Sequence, residues 1–93
     1  MLAILLCTLN GEDFILDQLK SIKNQTYKDF DIYVKDNFSK DNTKQIIDDF
    51  KSANPEINIY HLQGDEKHFA NSYIEGLHQI NKDYLFYAFC DQD

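Results

Sequence analysis

The chain has 93 residues, room for one small domain with a modest core. Its 9 basic residues, all lysine, face 16 acidic ones for a net charge of −7. That balance argues against nucleic acid or an anionic membrane as partner, although a phosphate can still be held through a cation or backbone amides.

Leu2 to Leu6 is a continuous apolar run and reads as a buried first strand. The run resembles a secretory core only superficially, since no basic leader precedes it and Asn10, Gly11, Glu12 and Asp13 follow too soon. Cys7 to Gly11 reads as the following loop. Phe14, Ile15, Leu19 and Ile22 then recur near the helical period, with Asn10 or Gly11 able to start the helix and Lys20 and Lys23 suited to its last turn. Asp31 to Lys35 alternates as a second strand that exits into Asp36 and Asn37. Ser39 to Thr43 is rich in cap-forming residues, and Ile46, Ile47 and Phe50 mark a second helix stopping near Asn54, before Pro55. Ile57, Ile59, Tyr60 and Leu62 mark a third strand. Phe69, Tyr73, Leu77 and Ile80 mark a third helix.

Tyr84 to Cys90 is the most apolar run and reads as a strand buried on both faces. It ends in Asp91, Gln92 and Asp93. Carboxylates at the carboxyl end of a parallel strand stand where open α/β sheets bind ligands. Two of them at i and i+2 can face one ligand, and their hard oxygens suit Mg²⁺ or Mn²⁺. A solubilising turn is the plain alternative. The order β-α-β-α-β-α-β predicts an α/β fold, a parallel sheet with helices on both faces. Cys7 and Cys90 read as buried free thiols, which points to the cytoplasm.

Three segments together resemble glycosyltransferase family 2, whose GT-A fold handles nucleotide-sugars. Thr8-Leu9-Asn10-Gly11-Glu12, with the helix after it and Asn24-Gln25-Thr26-Tyr27 at its exit, is similar to the family's first loop and helix. Asp36-Asn37-Phe38-Ser39-Lys40-Asp41-Asn42-Thr43 resembles its Asp-Asp-Gly-Ser-Thr-Asp-Asn-Thr loop. Phe89-Cys90-Asp91-Gln92-Asp93 resembles its DXD motif, in the form of rhamnosyltransferase-like members. The resemblance covers the whole chain. It departs at Leu9, where an aromatic is common, at Asn37, which replaces an acid, and at Phe38, which replaces Gly and is expected to force a different turn.

The resemblance implies strand order 3-2-1-4, half of a GT-A fold, with Cys7 near Cys90. It implies that Thr8 and Asn10 line the base pocket, that Asp36 and Asn37 contact the nucleotide, that Asp91 lies near the ribose, and that Asp93, with Asp91, holds Mg²⁺ or Mn²⁺. Lys67 and His68 are the nearest spare cations, with a solvated turn as their plain alternative. The expected donor is a UDP-, dTDP- or GDP-linked sugar, and the acceptor a saccharide or lipid-linked group in bacterial polysaccharide synthesis. The expected place is the cytoplasm, extending to the inner face of the membrane for the longer enzyme. In the family, the general base lies past DXD, so residues 1–93 are expected to be a donor-binding half, truncated after that motif and inactive alone. A homodimer through strand four or helix three is expected, because the other half would cover that apolar side. The competing classes are a metal-dependent phosphatase or phosphotransferase using Asp-x-Asp and a non-catalytic α/β module.

Overall fold

The computed structural model describes residues 2–26, 28–62, 64, 76, 79, 80 and the backbone of 85–91. β1 (Leu2–Thr8), α1 (Ile15–Lys23), β2 (Phe30–Asp36), α2 (Thr43–Ala53), β3 (Asn58–Leu62) and β4 (Leu85–Asp91) follow in chain order. The four strands form one parallel sheet in the order β3-β2-β1-β4. β1 and β4 are neighbours, and Cys7 pairs in register with Cys90, as the resemblance implied. Most of the expected third helix, with Lys67 and His68, lies outside the described residues, as do Gln92 and Asp93.

β1 is hydrogen-bonded on both edges and buried on both faces, which is why its sequence runs apolar without alternation. On one face Ile4 and Leu6 meet Ile32 and Val34 of β2, Ile15, Leu19 and Ile22 of α1, and Ile47 and Phe50 of α2. Each fully buried Leu or Ile contributes about 1.5–3 kcal/mol of transfer free energy. On the other face lie Ala3, Leu5, Cys7, Tyr33 and Ile80. Gly76, in helical conformation, lies so close to that face that an added Cβ would stand 3.1 Å from both Leu5 Cδ atoms. Helical backbone at Gly76 therefore lies against that face, as α1 and α2 lie against the other.

Three boundaries differ from expectation, each for a local reason. β1 extends through Cys7 and Thr8, because both neighbouring strands continue to pair there. β2 takes in Phe30 and Asp36, and its alternating residues are buried on both sides: Asp31 is 5% exposed and accepts 3.0 Å from Asn58 Nδ2 across the β2–β3 pair. α1 starts at Ile15, not at Asn10 or Gly11. The Gly11 carbonyl instead accepts from Phe14 and Ile15 N–H at 2.9 and 2.8 Å, forming a turn that holds Glu12 and Asp13 ahead of the helix. Phe14, expected on the apolar face, is exposed. α2 ends at Ala53 with Asn54 as its C-cap, before Pro55, as read.

Lys35 is fully buried. Its stem lies under Gly76, whose added Cβ would come within 3.4 Å of Lys35 Cδ, and its Nζ donates to Asn37 Oδ1 at 3.3 Å. Gly64 closes the same corner. A Cβ there would sit 1.9 Å from the Asp36 carbonyl oxygen and 3.1 Å from Asn37 Cα. Backbone cannot swing aside as a side chain can, so Gly64→Ala is expected to destabilise the chain by about 3 kcal/mol, visible as a lower urea midpoint. An unchanged midpoint would show that the β2 exit is pliable.

Candidate functional site

The carboxyl ends of three strands form one row. Thr8 pairs in register with Asp36 of β2 on one side and with Asp91 of β4 on the other. The pairing does not stop at the sheet. Asn37 N–H donates to the Thr8 carbonyl at 2.9 Å, and the loops that follow β1 and β2 are then laced together. Asn10 N–H donates to Ser39 Oγ at 2.8 Å, and Lys40 N–H returns a bond to Asn10 Oδ1 at 2.7 Å. Glu12 N–H donates to Asp41 Oδ2, and Asn42 N–H donates to Glu12 Oε1, both at 3.1 Å. Each loop thus satisfies backbone donors of the other, an arrangement of two reciprocal pairs.

The residues singled out in the sequence occupy this row unequally. Thr8 is fully buried, and Asn37 is 4% exposed with its carboxamide oxygen on Lys35. Asn10 is exposed, but its side-chain oxygen is engaged by Lys40 N–H. Asp36 is half-buried and accepts from Ser39 N–H at 3.3 Å and from Ser39 Oγ–H. Asp91 is placed by its backbone, at the last pair of β4. A cavity of about 340 Å³ lined by Asp17, Gln18, Ser21, Ile22 and Gln25 lies along α1, and none of its lining residues stands at a strand end. Phe38 takes φ 61°. The residue that stands in place of the resemblance's Gly adopts a left-handed conformation that Gly holds without strain.

The family model for glycosyl transferase family 2 matches residues 3–93. The chain belongs to that family. The chain is 36% identical over 93 residues to a dTDP-rhamnosyl transferase, RfbG, of Shigella flexneri, covering 95% of this chain and 31% of that protein. It is 28% identical over 92 residues to the GalNAc(5)-diNAcBac-PP-undecaprenol beta-1,3-glucosyltransferase of Campylobacter jejuni, covering 99% of this chain and 29% of the other. The chain thus spans under a third of the length of either relative. Among solved structures it is similar in fold to the mannosyltransferase PcManGT of Pyrobaculum calidifontis in complex with GDP-Man and Mn²⁺, with TM-score 0.78 and 18% identity over 86% of this chain and 24% of that one. The fold is that of the GT-A enzymes, as the sequence resemblance implied.

The family match is to glycosyl transferases, a class apart from the Asp-x-Asp phosphatases. It does not reveal the loop lacing, which sequence reasoning missed. Glu12 looked like a first-turn acid and Asp41 one of several cap residues; their partners lie 29 or 30 residues away, and local spacing carries no such signal. Two strand-end loops on adjacent strands were the available hint. At Asp41, desolvation works to raise the pKa. The hydrogen bonds from Thr43 Oγ1, Thr43 N–H and Glu12 N–H together outweigh it and hold the carboxyl below its usual 3.8. A group with a depressed folded pKa contributes stability that is complete above its unfolded pKa and is lost as pH falls through the folded one. The stability Asp41 confers is therefore expected to be constant down to about pH 4 and to fade below it. Asp41→Asn should lower the urea midpoint at pH 7 and flatten its fall below about pH 4. Parallel pH profiles for the two proteins would refute the role of the charge.

Proposed function

We propose that this chain is the donor-binding part of an inverting glycosyltransferase, which uses a nucleotide-diphospho-sugar to extend a saccharide or lipid-linked acceptor. The observation that carries the reading is the row Asp36–Thr8–Asp91 at the sheet's carboxyl edge, within a family match that spans residues 3–93. Ligands of open parallel sheets bind beyond this edge. The RfbG relative's name supports a dTDP-linked deoxysugar as the donor over UDP- or GDP-linked ones. The name of the Campylobacter relative supports an acceptor carried on a lipid diphosphate, and with it work on bacterial polysaccharide in the cytoplasm, at the inner face of the membrane. No helix among the described residues is long and apolar enough to cross a membrane.

In this reading Thr8 and Asn10 shape the base pocket, Asp36 accepts from base or ribose, and Asn37, through Lys35, keeps the β2 exit in place. Asp91 lies beside the ribose. No group of three or more His, Cys, Asp or Glu among the described residues could hold a metal alone. A hard divalent ion of this class needs only one or two carboxylates when substrate phosphates complete its shell, and Asp91 and Asp93 offer that set. The neighbour solved with GDP-Man and Mn²⁺ supports the same cation. When bound, Mg²⁺ or Mn²⁺ would neutralise the diphosphate and make it a better leaving group. No residue of this chain is assigned as the general base.

Calorimetry with dTDP, UDP and GDP, each with and without Mn²⁺, tests the reading. Nucleotide and Mn²⁺ are expected to strengthen each other's binding by about tenfold or more. Asp93→Asn should abolish that coupling while leaving the fold intact, and Asp36→Asn should weaken the nucleotide whether or not metal is present. Equal nucleotide affinity with and without Mn²⁺ in the wild type would defeat the metal assignment and favour a non-catalytic module. A homodimer through β4 or the expected third helix is part of the proposal, and monomeric light scattering at high micromolar concentration would remove it.

A further inference from the structure

α1 carries a stretch of surface that the laced loops do not use. Asp17, Ser21 and Gln25 recur every four residues and form one ridge, which continues past the last turn of the helix; Gln18 and Ile22 form the ridge beside it. These five residues line the cavity of about 340 Å³, at the low end of the roughly 300–1,000 Å³ typical of small-molecule sites. No residue of α2 lines it, so it opens on the flank of α1 turned away from α2. Because α1 connects two parallel strands, it runs back from the strand-end row, and the cavity leads toward the opposite edge of the sheet. Gln18 supplies a second observation. Its Oε1 is buried and, among the described residues, has no hydrogen-bond partner. A buried acceptor left without a donor works against folding, and an apolar side chain of similar length would line the same wall without that cost. Turning the carboxamide into the cavity breaks no bond at this oxygen.

We infer that this cavity is a saccharide-binding site, separate from the strand-end row, that holds a sugar ring without reacting it. The choice of a saccharide rests on the glycosyltransferase reading above. The lining residues narrow the chemistry further. They include no Lys or His, and Asp17 is anionic, so a phosphate or a carboxylate is repelled. Asp17 is exposed, and one exposed carboxylate holds a cation weakly. Four of the five side chains carry hydrogen-bonding groups, which an aliphatic ligand would leave unpaired. A neutral ring bearing hydroxyls meets each of these conditions. Its hydroxyls donate to the Asp17 carboxylate and to Gln18 Oε1, and exchange bonds with the Ser21 hydroxyl, while its C–H face packs on Ile22. Such a site keeps saccharide at high local concentration without competing for the nucleotide's edge of the sheet.

The test is an NMR titration of the 93-residue chain with methyl α-rhamnoside and with methyl β-glucoside, with sorbitol as an open-chain control. The amide signals of residues 17–25, with the side-chain amide of Gln18, are expected to shift with at least one glycoside, at a dissociation constant of about 1–10 mM, and not with sorbitol. The signals of Thr8, Asp36 and Asp91 should stay in place. Gln18→Met is expected to weaken glycoside binding by about tenfold or more, and to melt no lower than the wild type, because it removes the orphan acceptor. Its affinity for dTDP with Mn²⁺ should be that of the wild type. No shift along α1 with either glycoside overturns the site, as do equal shifts with sorbitol or wild-type glycoside affinity in Gln18→Met. A lower melting temperature in Gln18→Met overturns it too, since Gln18 Oε1 would then serve the fold. Signals of residues 17–25 that shift with protein concentration alone assign the face to a second copy of the chain and overturn it as well. Glycoside shifts along α1 in a chain that binds no nucleotide support the site and overturn only the donor reading.

Discussion

The pairing of β1 with β2 is the constraint on which the rest depends, because it continues past the sheet. From Leu2 to Thr8 it is an ordinary parallel ladder; from Thr8 onward the Asn37 amide, the Ser39 hydroxyl and the side chains of Asn10, Glu12 and Asp41 carry it through two loops. Loops at a strand end normally lose order because their backbone groups bond to water. Here backbone donors of residues 10, 12, 40 and 42 are taken by the opposite loop. A binding edge braced in this way needs little ordering when a ligand arrives, and so loses less affinity to conformational entropy.

The bracing has consequences for the residues that build it. Asn10 takes φ 52° and Phe38 φ 61°, the two non-glycine positive values among the described residues, and both lie in the laced loops. Asparagine tolerates that region; phenylalanine does not favour it. The lacing can hold Phe38 there because the bonds on either side of it fix both flanking residues. Below it, Lys35 puts a charged group into the core, which is costly unless the ammonium finds partners. The Asn37 carboxamide is one such partner, and it sits at the same β2 exit that Gly64 approaches too closely to carry a side chain.

Much of this was legible in the sequence where burial decides structure. Continuous apolar runs gave β1 and β4, the 3.6-residue spacing of Ile15, Leu19 and Ile22 gave the buried face of α1, and Pro55 marked the end of α2. What could not be read were side chains with two possible partners. Asn10 is a good helix cap by propensity, yet its oxygen bonds Lys40 N–H, so the helix starts at Ile15. Asp31 and Lys35 occupy alternating polar positions that suggest a solvated face. They are buried, Lys35 beneath the helical backbone at Gly76 and bonded to Asn37, Asp31 bonded to Asn58 of β3. Motif likeness marked the strand ends correctly, since Thr8, Asp36 and Asp91 share one register row, but likeness says nothing of which side chains bond to which.

The strand-end residues fall into two groups with different freedoms. Thr8 and Asn37 join through backbone, Asn37 Oδ1 also holds Lys35, and the Asp41 carboxylate takes Glu12 and Thr43 N–H, so a change at Asp41 disturbs the lacing before it touches a ligand. Leu9 and Phe38 have their backbones fixed by that same lacing while their side chains are free of the core. A scaffold divided in this manner can alter what it contacts without altering how it folds. Substitutions at positions 9 and 38 change the apolar surface offered to a ligand, at a cost limited to the local backbone preference of the incoming residue. The departures from the family pattern at Leu9 and Phe38 are changes of that kind. They stand where the sheet is rigid enough to tolerate them, with Gly64 and Lys35 packed beneath the β2 exit and β1 held on both edges.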